Sequence, residues 1–277
     1  MLIFGVLSIM MFPVQSVFGH VNYSISLQNV PGVEAVMVGP KPGVKPSEMG
    51  NCGYLLESGK RYPAKCDGAG MKPEIMRSGK KNKHGNIKFK TNPSVKAKGN
   101  DRSEVAITER YFPFDQDVFI GFNVMIPTGA AVANAMFMLM QLWQCGTAPP
   151  IAGLRMMSGS SHRFGIMSRN NPQSGSTRTA FDVIPGKWYR FVIRFRASRT
   201  DGAIEVWREG SNESELFSEE FGYDSTVCPE EKWRLKFGIY KANEPGRYFE
   251  VNYDDVRVGD SRADVQPWKA STTRTDL

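Results

Sequence analysis

Residues 235–241 alternate strictly between apolar and polar side chains, and this segment constrains the fold more than any other. The two faces of the predicted strand would carry Leu235, Phe237 and Ile239 on one side and Lys236, Gly238 and Tyr240 on the other. A period of two residues is typical of a β-strand with one buried face. The chain is therefore expected to build a sheet on a hydrophobic core and to leave the second face of this strand open.

The polar face of this strand carries groups that can move protons. A cation close to a phenol favours the phenolate and so lowers the pKa of the tyrosine. We therefore expect Lys236 to tune Tyr240, and Gly238 to leave room for a ligand to lie flat on the sheet. The alternative is an ordinary half-buried strand whose lysine extends its ammonium group into solvent.

Short alternating or apolar segments recur along the rest of the chain at intervals of roughly 8 to 15 residues, with almost no helical periodicity. These segments are residues 23–30, 102–107, 118–126, 135–143, 154–157, 162–167, 189–197, 204–208 and 249–258. The 27 glycines and 17 prolines in 277 residues suit a chain with many turns. The pattern predicts an all-β fold, an antiparallel two-sheet sandwich or β-jelly roll, as one domain over residues 20–260.

The two ends of the chain are expected to lie outside this domain. Residues 2–11 are apolar, too short to span a bilayer, and are followed by Pro13 and a small residue at Gly19. This pattern predicts a signal peptide over residues 1–19 and a secreted protein, with a buried N-terminal strand as the alternative. Residues 261–277 are predicted to be a polar C-terminal tail.

The net charge of +7 predicts an acidic partner. Secretion excludes nucleic acid and favours an extracellular acidic polysaccharide, and we expect no membrane partner and a monomer. Residues 77–90 are rich in lysine and are predicted to be a loop, either solvated or at the rim of a polyanion groove. Four cysteines, Cys52, Cys66, Cys145 and Cys228, suit an oxidising compartment and allow three disulfide pairings.

The sequence indicates no cofactor. No CxxC motif or His/Cys cluster predicts a zinc site, and a structural Ca²⁺ at Asp254 and Asp255 is the one metal that we consider. Four polar rows could instead carry chemistry or bind a ligand, since each has residues two or four apart on a predicted strand. They are Arg102 with Glu104, Gln141 with Trp143, Lys236 with Tyr240, and Arg190 with Arg194 and Arg196.

The first three rows, in this order, resemble the motifs of jelly-roll polysaccharide lyases. Alginate lyases of family seven carry Arg-(Ser/Thr)-Glu-x-Arg, Gln-(Ile/Val)-His and Tyr-x-Lys-x-Gly-x-Tyr, to which Arg102–Glu104, Gln141–Trp143 and Lys236–Tyr240 are similar. Further similarity is to the heparin-lyase-like group that includes fungal glucuronan lyase, family twenty. It rests on Gly186-Lys187-Trp188-Tyr189, Glu205-Val206-Trp207 and Tyr253-Asp254-Asp255-Val256, so that the resemblance spans residues 102–259.

This resemblance implies β-elimination on a uronate polymer, glucuronan or alginate. Arg102 and Gln141 would neutralise the substrate carboxylate, and Tyr240 would act as base, as acid, or as both. Glu104 would orient Arg102. The implied substrate-binding residues are Glu104, Trp143, Arg190, Arg194, Lys236 and His162.

Trp143 stands where the alginate lyases have histidine, and tryptophan cannot accept a proton. Either Tyr240 works alone or a histidine reaches the site from elsewhere, and His84 in the basic loop is favoured over His162. Two other functions remain open: a non-catalytic lectin-like module that binds acidic glycans, and a hydrolase. No closely spaced carboxylate pair on a predicted strand supports the hydrolase.

Overall fold

The computed structural model describes most of the chain between residues 51 and 266. Its backbone is described for residues 23–24, 51–57, 60–68, 74–77, 85–91, 102–107, 111–144, 149–169, 175–208, 215–221, 231–240, 242, 244 and 246–266. Side chains are described for residues 87–91, 103–106, 111–144, 149–169, 175–208, 231–240, 242, 244 and 246–266. The signal peptide, His84 and the side chains of the four cysteines lie outside this part, so the predictions made for them stay predictions.

The described part forms seventeen strands and one short helix. In chain order they are β1 (Tyr23–Ser24), β2 (Asn51–Glu57), β3 (Lys60–Gly68), β4 (Glu74–Arg77), β5 (Gly85–Lys90), β6 (Arg102–Ile107), β7 (Phe112–Pro113), β8 (Val118–Met125), β9 (Phe137–Gln144), β10 (Pro150–Met156), β11 (Arg163–Arg169), β12 (Gly175–Asp182), β13 (Trp188–Arg196), β14 (Gly202–Arg208), β15 (Glu215–Phe221), β16 (Lys232–Tyr240), β17 (Glu250–Gly259) and α1 (Arg262–Val265). No helix among the described residues is long and apolar enough to cross a membrane.

Hydrogen bonding divides the strands between two antiparallel sheets. The front sheet runs β2–β3–β6–β16–β9–β10–β11–β12, and the short β7 pairs with the start of β16. The back sheet runs β4–β5–β17–β8–β13–β14–β15. β1 pairs with both β2 and β17, so it joins the sheets along one edge. The sheets do not close into a barrel, and the predicted jelly roll is confirmed.

β16 supplies the centre of the core between the sheets. Leu235, Phe237 and Ile239 are fully buried, as the alternation predicts. The Phe237 ring packs against Phe89 and Tyr253 of the back sheet, with ring centroids 5.8 Å and 5.3 Å away. Burial of one side chain of this size contributes about 1.5–3 kcal/mol. The apolar half of β16 therefore fixes which face of the strand points inward and which face stays open.

A buried hydrogen bond also joins the two sheets. The Tyr253 hydroxyl of β17 donates to the main-chain carbonyl of Leu139 in β9, at 2.8 Å. Burial first, and then the nearby Glu104 carboxylate, raises the pKa of Tyr253 well above its ordinary value. The phenol thus stays protonated and keeps donating to the opposite sheet at neutral pH.

The chain after β17 differs from the predicted polar tail in its first residues. Ser261 caps α1 through a capping box with Asp264, and Val265 is buried against the back sheet. Gly121 of β8 permits this contact, since a Cβ there would lie 1.9 Å from the Val265 carbonyl oxygen. The helix covers the outer side of β8, β13 and β17. The folded domain therefore reaches Gln266.

The basic segment 77–90 is only partly the loop that the sequence predicts. Its last residues form β5, which pairs with β17. Ile87 and Phe89 are buried, and the Lys88 ammonium lies 3.1 Å from Glu250. The period of two was present in the sequence there, but the high lysine content concealed it. β12 and β15 were also not predicted, because neither segment carries a clear apolar face.

The cross-sheet hydrogen bond gives a stability prediction. Tyr253→Phe leaves the Leu139 carbonyl buried without its donor, so we expect a loss of about 1–3 kcal/mol in the free energy of unfolding, measured by urea denaturation. Tyr248→Phe is the matched control, because the Tyr248 hydroxyl bonds the Glu250 carboxylate at an exposed position. The control should lose well under 1 kcal/mol, as exposed bonds do. Equal losses in the two variants would contradict this account of the core.

Candidate active site

The three polar rows meet on the outer face of the front sheet. β16 lies between β6 and β9, and its register sets Tyr240 opposite Arg102, Gly238 opposite Glu104, and Lys236 opposite Gln141. Directly opposite residues in adjacent strands project from the same face of a sheet. We call this surface the open face; it carries Glu104, Gln141, Trp143, Lys236 and Tyr240. The sequence thus predicted which residues would be neighbours, although their roles in catalysis stay predictions.

Gln141 and Glu104 form the central contact of the open face. The Gln141 amide Nε2 donates to Glu104 Oε1, and each side chain is 1% exposed. Gln141 belongs to β9 and Glu104 to β6, so the bond passes over the backbone of β16 between them. It fixes the direction of the amide and leaves the second amide N–H and the amide oxygen of Gln141 available to other groups.

This contact gives Glu104 a described partner other than the one expected. The resemblance implied that Glu104 orients Arg102, whereas the described partner of its carboxylate is Gln141. The Arg102 side chain lies outside the described residues, and only its backbone position opposite Tyr240 is established. Glu104 therefore positions Gln141, and its expected contact with Arg102 stays a prediction.

Gly238 has a conformational reason to be glycine. Its φ of +134° is disfavoured for residues with a side chain, and a Cβ would lie 2.3 Å from the Ser103 carbonyl oxygen. The pairing of β16 with β9 shifts register between Phe237 and Tyr240, so the glycine sits in an irregular part of the strand. The sequence interpretation, that Gly238 simply leaves space for a ligand, missed this requirement.

Cations and aromatic rings alternate along the open face toward the start of β16. The Trp143 ring has the Arg234 guanidinium 4.5 Å and the Lys236 ammonium 4.4 Å from its centroid. The Tyr111 ring has the Lys232 ammonium at 4.6 Å and the Arg234 guanidinium at 5.5 Å. We call Tyr111, Trp143, Lys232, Arg234 and Lys236 the cation–aromatic strip. Such contacts hold positive charge at fixed positions on the sheet.

The sequence did not predict Lys232 and Arg234 as site residues, because the predicted strand began at residue 235. β16 begins three residues earlier, and its alternation continues through Lys232 and Arg234. Burial lowers the pKa of Arg234 below its ordinary value, and the nearby Tyr111 and Glu104 offset part of this shift. Within the described part of the chain its Nε has no hydrogen-bond partner.

Lys236 lies with the strip in this structure. Its ammonium lies over Trp143, and Trp143 is opposite Arg234, on the side of Lys236 away from Tyr240. The expected effect of Lys236 on the Tyr240 hydroxyl therefore stays a prediction.

The arginine row of β13 is on the other side of the molecule. β13 belongs to the back sheet, where Tyr189 and Phe191 point into the core and the arginines point outward. The Arg194 guanidinium bonds the carboxylates of Asp117 and Glu205, at 3.1 Å for Asp117. This corrects the prediction that Arg190 and Arg194 face the substrate beside Tyr240. The strand alternates as expected, but its polar face is the outer surface of the back sheet.

His162 is also not brought to Tyr240. It precedes β11, three strands from β16, and its Nε2 lies 3.1 Å from the main-chain oxygen of Ala130. This contact holds the loop before β9, so His162 is not placed to act with Tyr240, and its expected role in substrate binding stays a prediction. Asp255, one of the two possible calcium ligands, forms an ion pair with Arg257 at 2.8 Å. Among the described residues no three His, Cys, Asp or Glu side chains group as metal ligands.

Comparison with known proteins decides the family. A family model described as polysaccharide lyase matches residues 68–257 of the chain. This chain belongs to the polysaccharide lyase family. The match includes β6, β9 and β16, so the open face of this lyase lies wholly within the matched region.

Several solved structures are similar to this chain at low sequence identity. The endo-β-1,4-glucuronan lyase of the fungus Trichoderma reesei matches with a TM-score of 0.55 and 15% identity, over 75% of this chain and 91% of that one. A family 7 alginate lyase with bound product gives 0.45 and 13%, over 67% and 85% of the chains. An alginate lyase of Pseudomonas aeruginosa gives 0.45 and 18%, over 64% and 83%. No curated protein sequence matches the lyase.

The role of Glu104 is testable by two substitutions of similar size. Glu104→Leu removes the acceptor for the Gln141 amide, and misplacement of a reacting group by about 1 Å can cost roughly 100-fold in rate. We therefore expect a fall in kcat of between about tenfold and 100-fold, with a smaller change in KM. Glu104→Gln keeps a carbonyl acceptor and should retain most of the activity. If both variants behave alike, the carboxylate does not act by orienting Gln141.

Proposed function

We propose that this lyase cleaves a (1→4)-linked uronate polymer, glucuronan or alginate, by β-elimination. The observation that carries the proposal is the meeting of Tyr240, Gln141 and the backbone of Arg102 on three adjacent central strands of the front sheet. An eliminating enzyme needs a proton acceptor next to groups that bind a carboxylate, and these three residue types supply both.

The reaction first requires that the negative charge of the uronate carboxylate be neutralised. The proton to be removed at C5 is alpha to the carboxylate and is only weakly acidic, because its removal places a second negative charge on the same group. The Gln141 amide, held by Glu104, would donate its second N–H to a carboxylate oxygen. The Arg102 guanidinium would pair with the other oxygen. Both contacts strengthen as charge develops, so they lower the barrier more than they tighten binding.

The second requirement is proton transfer. The Tyr240 phenolate would accept the C5 proton, and the electron pair of that C–H bond would form the C4–C5 double bond. The bond between C4 and the glycosidic oxygen would break, and the departing oxygen would take a proton from the Tyr240 hydroxyl, which restores the phenolate. The ordinary tyrosine pKa near 10 is high for a base at neutral pH, so nearby cations would have to favour the phenolate. His84 is the alternative base.

The charge of the open face supports an acidic substrate. Lys232, Arg234 and Lys236 form a row of cations along one strand, and Trp143 and Tyr111 offer flat surfaces between them. Cations bind the carboxylates of a uronate chain, and aromatic rings pack against the apolar faces of sugar rings. The glucuronan lyase that shares the fold acts on a polymer of this class, which agrees with the proposal.

Export completes the proposal. An acidic polysaccharide is met outside the cell, and residues 1–19 have the pattern of a signal peptide. Expression of the full chain, followed by N-terminal sequencing of the protein in the medium, tests this point. A secreted product that begins near His20 is expected, and a protein retained in the cell with Met1 intact contradicts it.

The main test is elimination itself, followed as ultraviolet absorbance of the unsaturated product. The purified lyase should generate this chromophore from glucuronan or alginate. Tyr240→Phe removes the hydroxyl and should lower kcat by roughly 10²- to 10⁴-fold while the polymer still binds. Tyr248→Phe, the same chemical change on a different surface, is the control and should act as the unchanged enzyme does.

Three outcomes would count against the proposal. Near-normal turnover by Tyr240→Phe would remove Tyr240 from the reaction. Release of reducing ends without the chromophore would indicate hydrolysis. Polymer binding with no cleavage of any uronate polymer by the unchanged protein would indicate a lectin-like module.

A further inference from the structure

A further cation, Arg155, lies on the open face, on the opposite side of Tyr240 from Arg102. Met138 of β9 is opposite Tyr240 of β16 and also opposite Arg155 of β10. Tyr240, Met138 and Arg155 therefore form a row across three neighbouring strands. Strands in a sheet are about 4.8 Å apart, so the Cα atoms of Tyr240 and Arg155 are about 10 Å apart. Leu154 and Met156 point into the core, which directs Arg155 to the open face.

The surroundings of Arg155 are largely uncharged. Its Nη1 lies 3.4 Å from the Thr177 hydroxyl, which in turn lies 3.8 Å from the Met157 sulfur. Gly165 is the partner of Arg155 on β11, and Met157 covers it so closely that a Cβ there would be 2.4 Å from the sulfur. The guanidinium is thus half-buried on a surface of two methionines, a threonine and a glycine.

No carboxylate within the described part of the chain pairs with Arg155. Its charged neighbour is instead another cation, Arg169 of β11, and burial followed by this repulsion lowers the pKa of Arg155. Arg163, also on β11, shows the contrast, since its guanidinium lies 3.5 Å from Asp182. A partly buried cation without an anion is costly to keep, and the cost is recovered only when an anion arrives.

We propose that Arg155 binds the carboxylate of a second sugar unit, next to the unit on which Tyr240 acts. This inference rests on the proposed function. It adds that the lyase acts on continuous uronate blocks in preference to uronate units separated by neutral sugars. Arg155 lies two strands from Tyr240 on the same face, and its long side chain can span part of that distance toward the unit beside the one at Tyr240. Arginine suits this role because its planar guanidinium can donate two parallel hydrogen bonds to one carboxylate.

The sequence alone did not suggest Arg155. It lies in a short segment, 154–157, with one charged residue among apolar ones, and such a residue is usually a solvated position on a strand. Its relation to Tyr240 depends on β9, which pairs with β16 on one side and with β10 on the other.

Steady-state kinetics on a uronate homopolymer tests the role. Arg155→Gln removes the charge and keeps a hydrogen-bonding side chain, and we expect KM to rise about tenfold with kcat nearly unchanged. Arg155→Lys keeps the charge without the paired donors and should show a smaller rise. Arg163→Gln, in which the lost cation already has a carboxylate partner, is the control and should leave both constants as they are. Thermal unfolding of each variant separates loss of binding from loss of fold.

A second substrate makes the test specific to the sugar charge. In a polymer with part of its carboxylates reduced to alcohols, many reactive units have a neutral neighbour. The unchanged lyase should lose kcat/KM on this polymer by more than the share of units reduced, whereas Arg155→Gln should lose only that share. If the variant discriminates between the two polymers as strongly as the unchanged lyase, Arg155 does not bind the neighbouring carboxylate.

The failure of the proposed function would look different. In that case the unchanged lyase would form no unsaturated product from any fully charged uronate polymer, and the subsite would be overturned together with the reaction. Normal turnover by the unchanged lyase and by Arg155→Gln, with equal KM values, would overturn the subsite and leave the reaction standing.

Discussion

The hydrogen bond from Gln141 to Glu104 is the contact on which the open face depends. It joins β9 to β6 across the strand between them, and it is possible because β16 lies in the centre of the front sheet. The irregular backbone at Gly238 lies beneath it, next to the Ser103 carbonyl. Both side chains are almost fully buried, so the bond between them fixes the positions of β9 and β6 relative to the strand between them. Those strands carry every group that we assign to the reaction.

The cations on the two outer faces of the sandwich have different partners. On the outer face of the back sheet, Arg194 and Arg196 bond carboxylates of Asp117, Asp201 and Glu205. On the open face, the cations of the strip lie on aromatic rings, and Arg155 has no described carboxylate partner. Charge that is already neutralised contributes little to a ligand, whereas a partly buried cation such as Arg155, with no described carboxylate partner, attracts an anion. A net charge of +7 does not reveal this division, because it sums both faces.

The sequence predicted the parts of the structure that follow from local alternation. β6 has the predicted bounds, the apolar half of β16 is buried, and the rows around Arg102, Gln141 and Tyr240 lie side by side. These results follow because a period of two assigns each residue to a face, and the ordered motifs of a known family then indicate which strands are neighbours.

The parts that the sequence did not predict depend on pairing between distant strands. β13 alternates as clearly as β16, yet it lies in the other sheet, and nothing local distinguishes them. The partner of Glu104, the conformation of Gly238 and the row from Tyr240 to Arg155 all require the register of β16 with β6 and β9. The position of His162 was not predicted for the same reason, since a single histidine beside a strand carries no information about which loop it contacts.

A crystal structure of the Tyr240→Phe variant with a bound uronate oligosaccharide tests most directly where the substrate binds. We expect the sugar to lie on the outer face of the front sheet, with one carboxylate within hydrogen-bond distance of the Gln141 amide and C5 of the same unit facing residue 240. A sugar bound to the arginines of β13 on the back sheet, or one on the front sheet whose carboxylates all lie beyond reach of Gln141, would contradict this expectation.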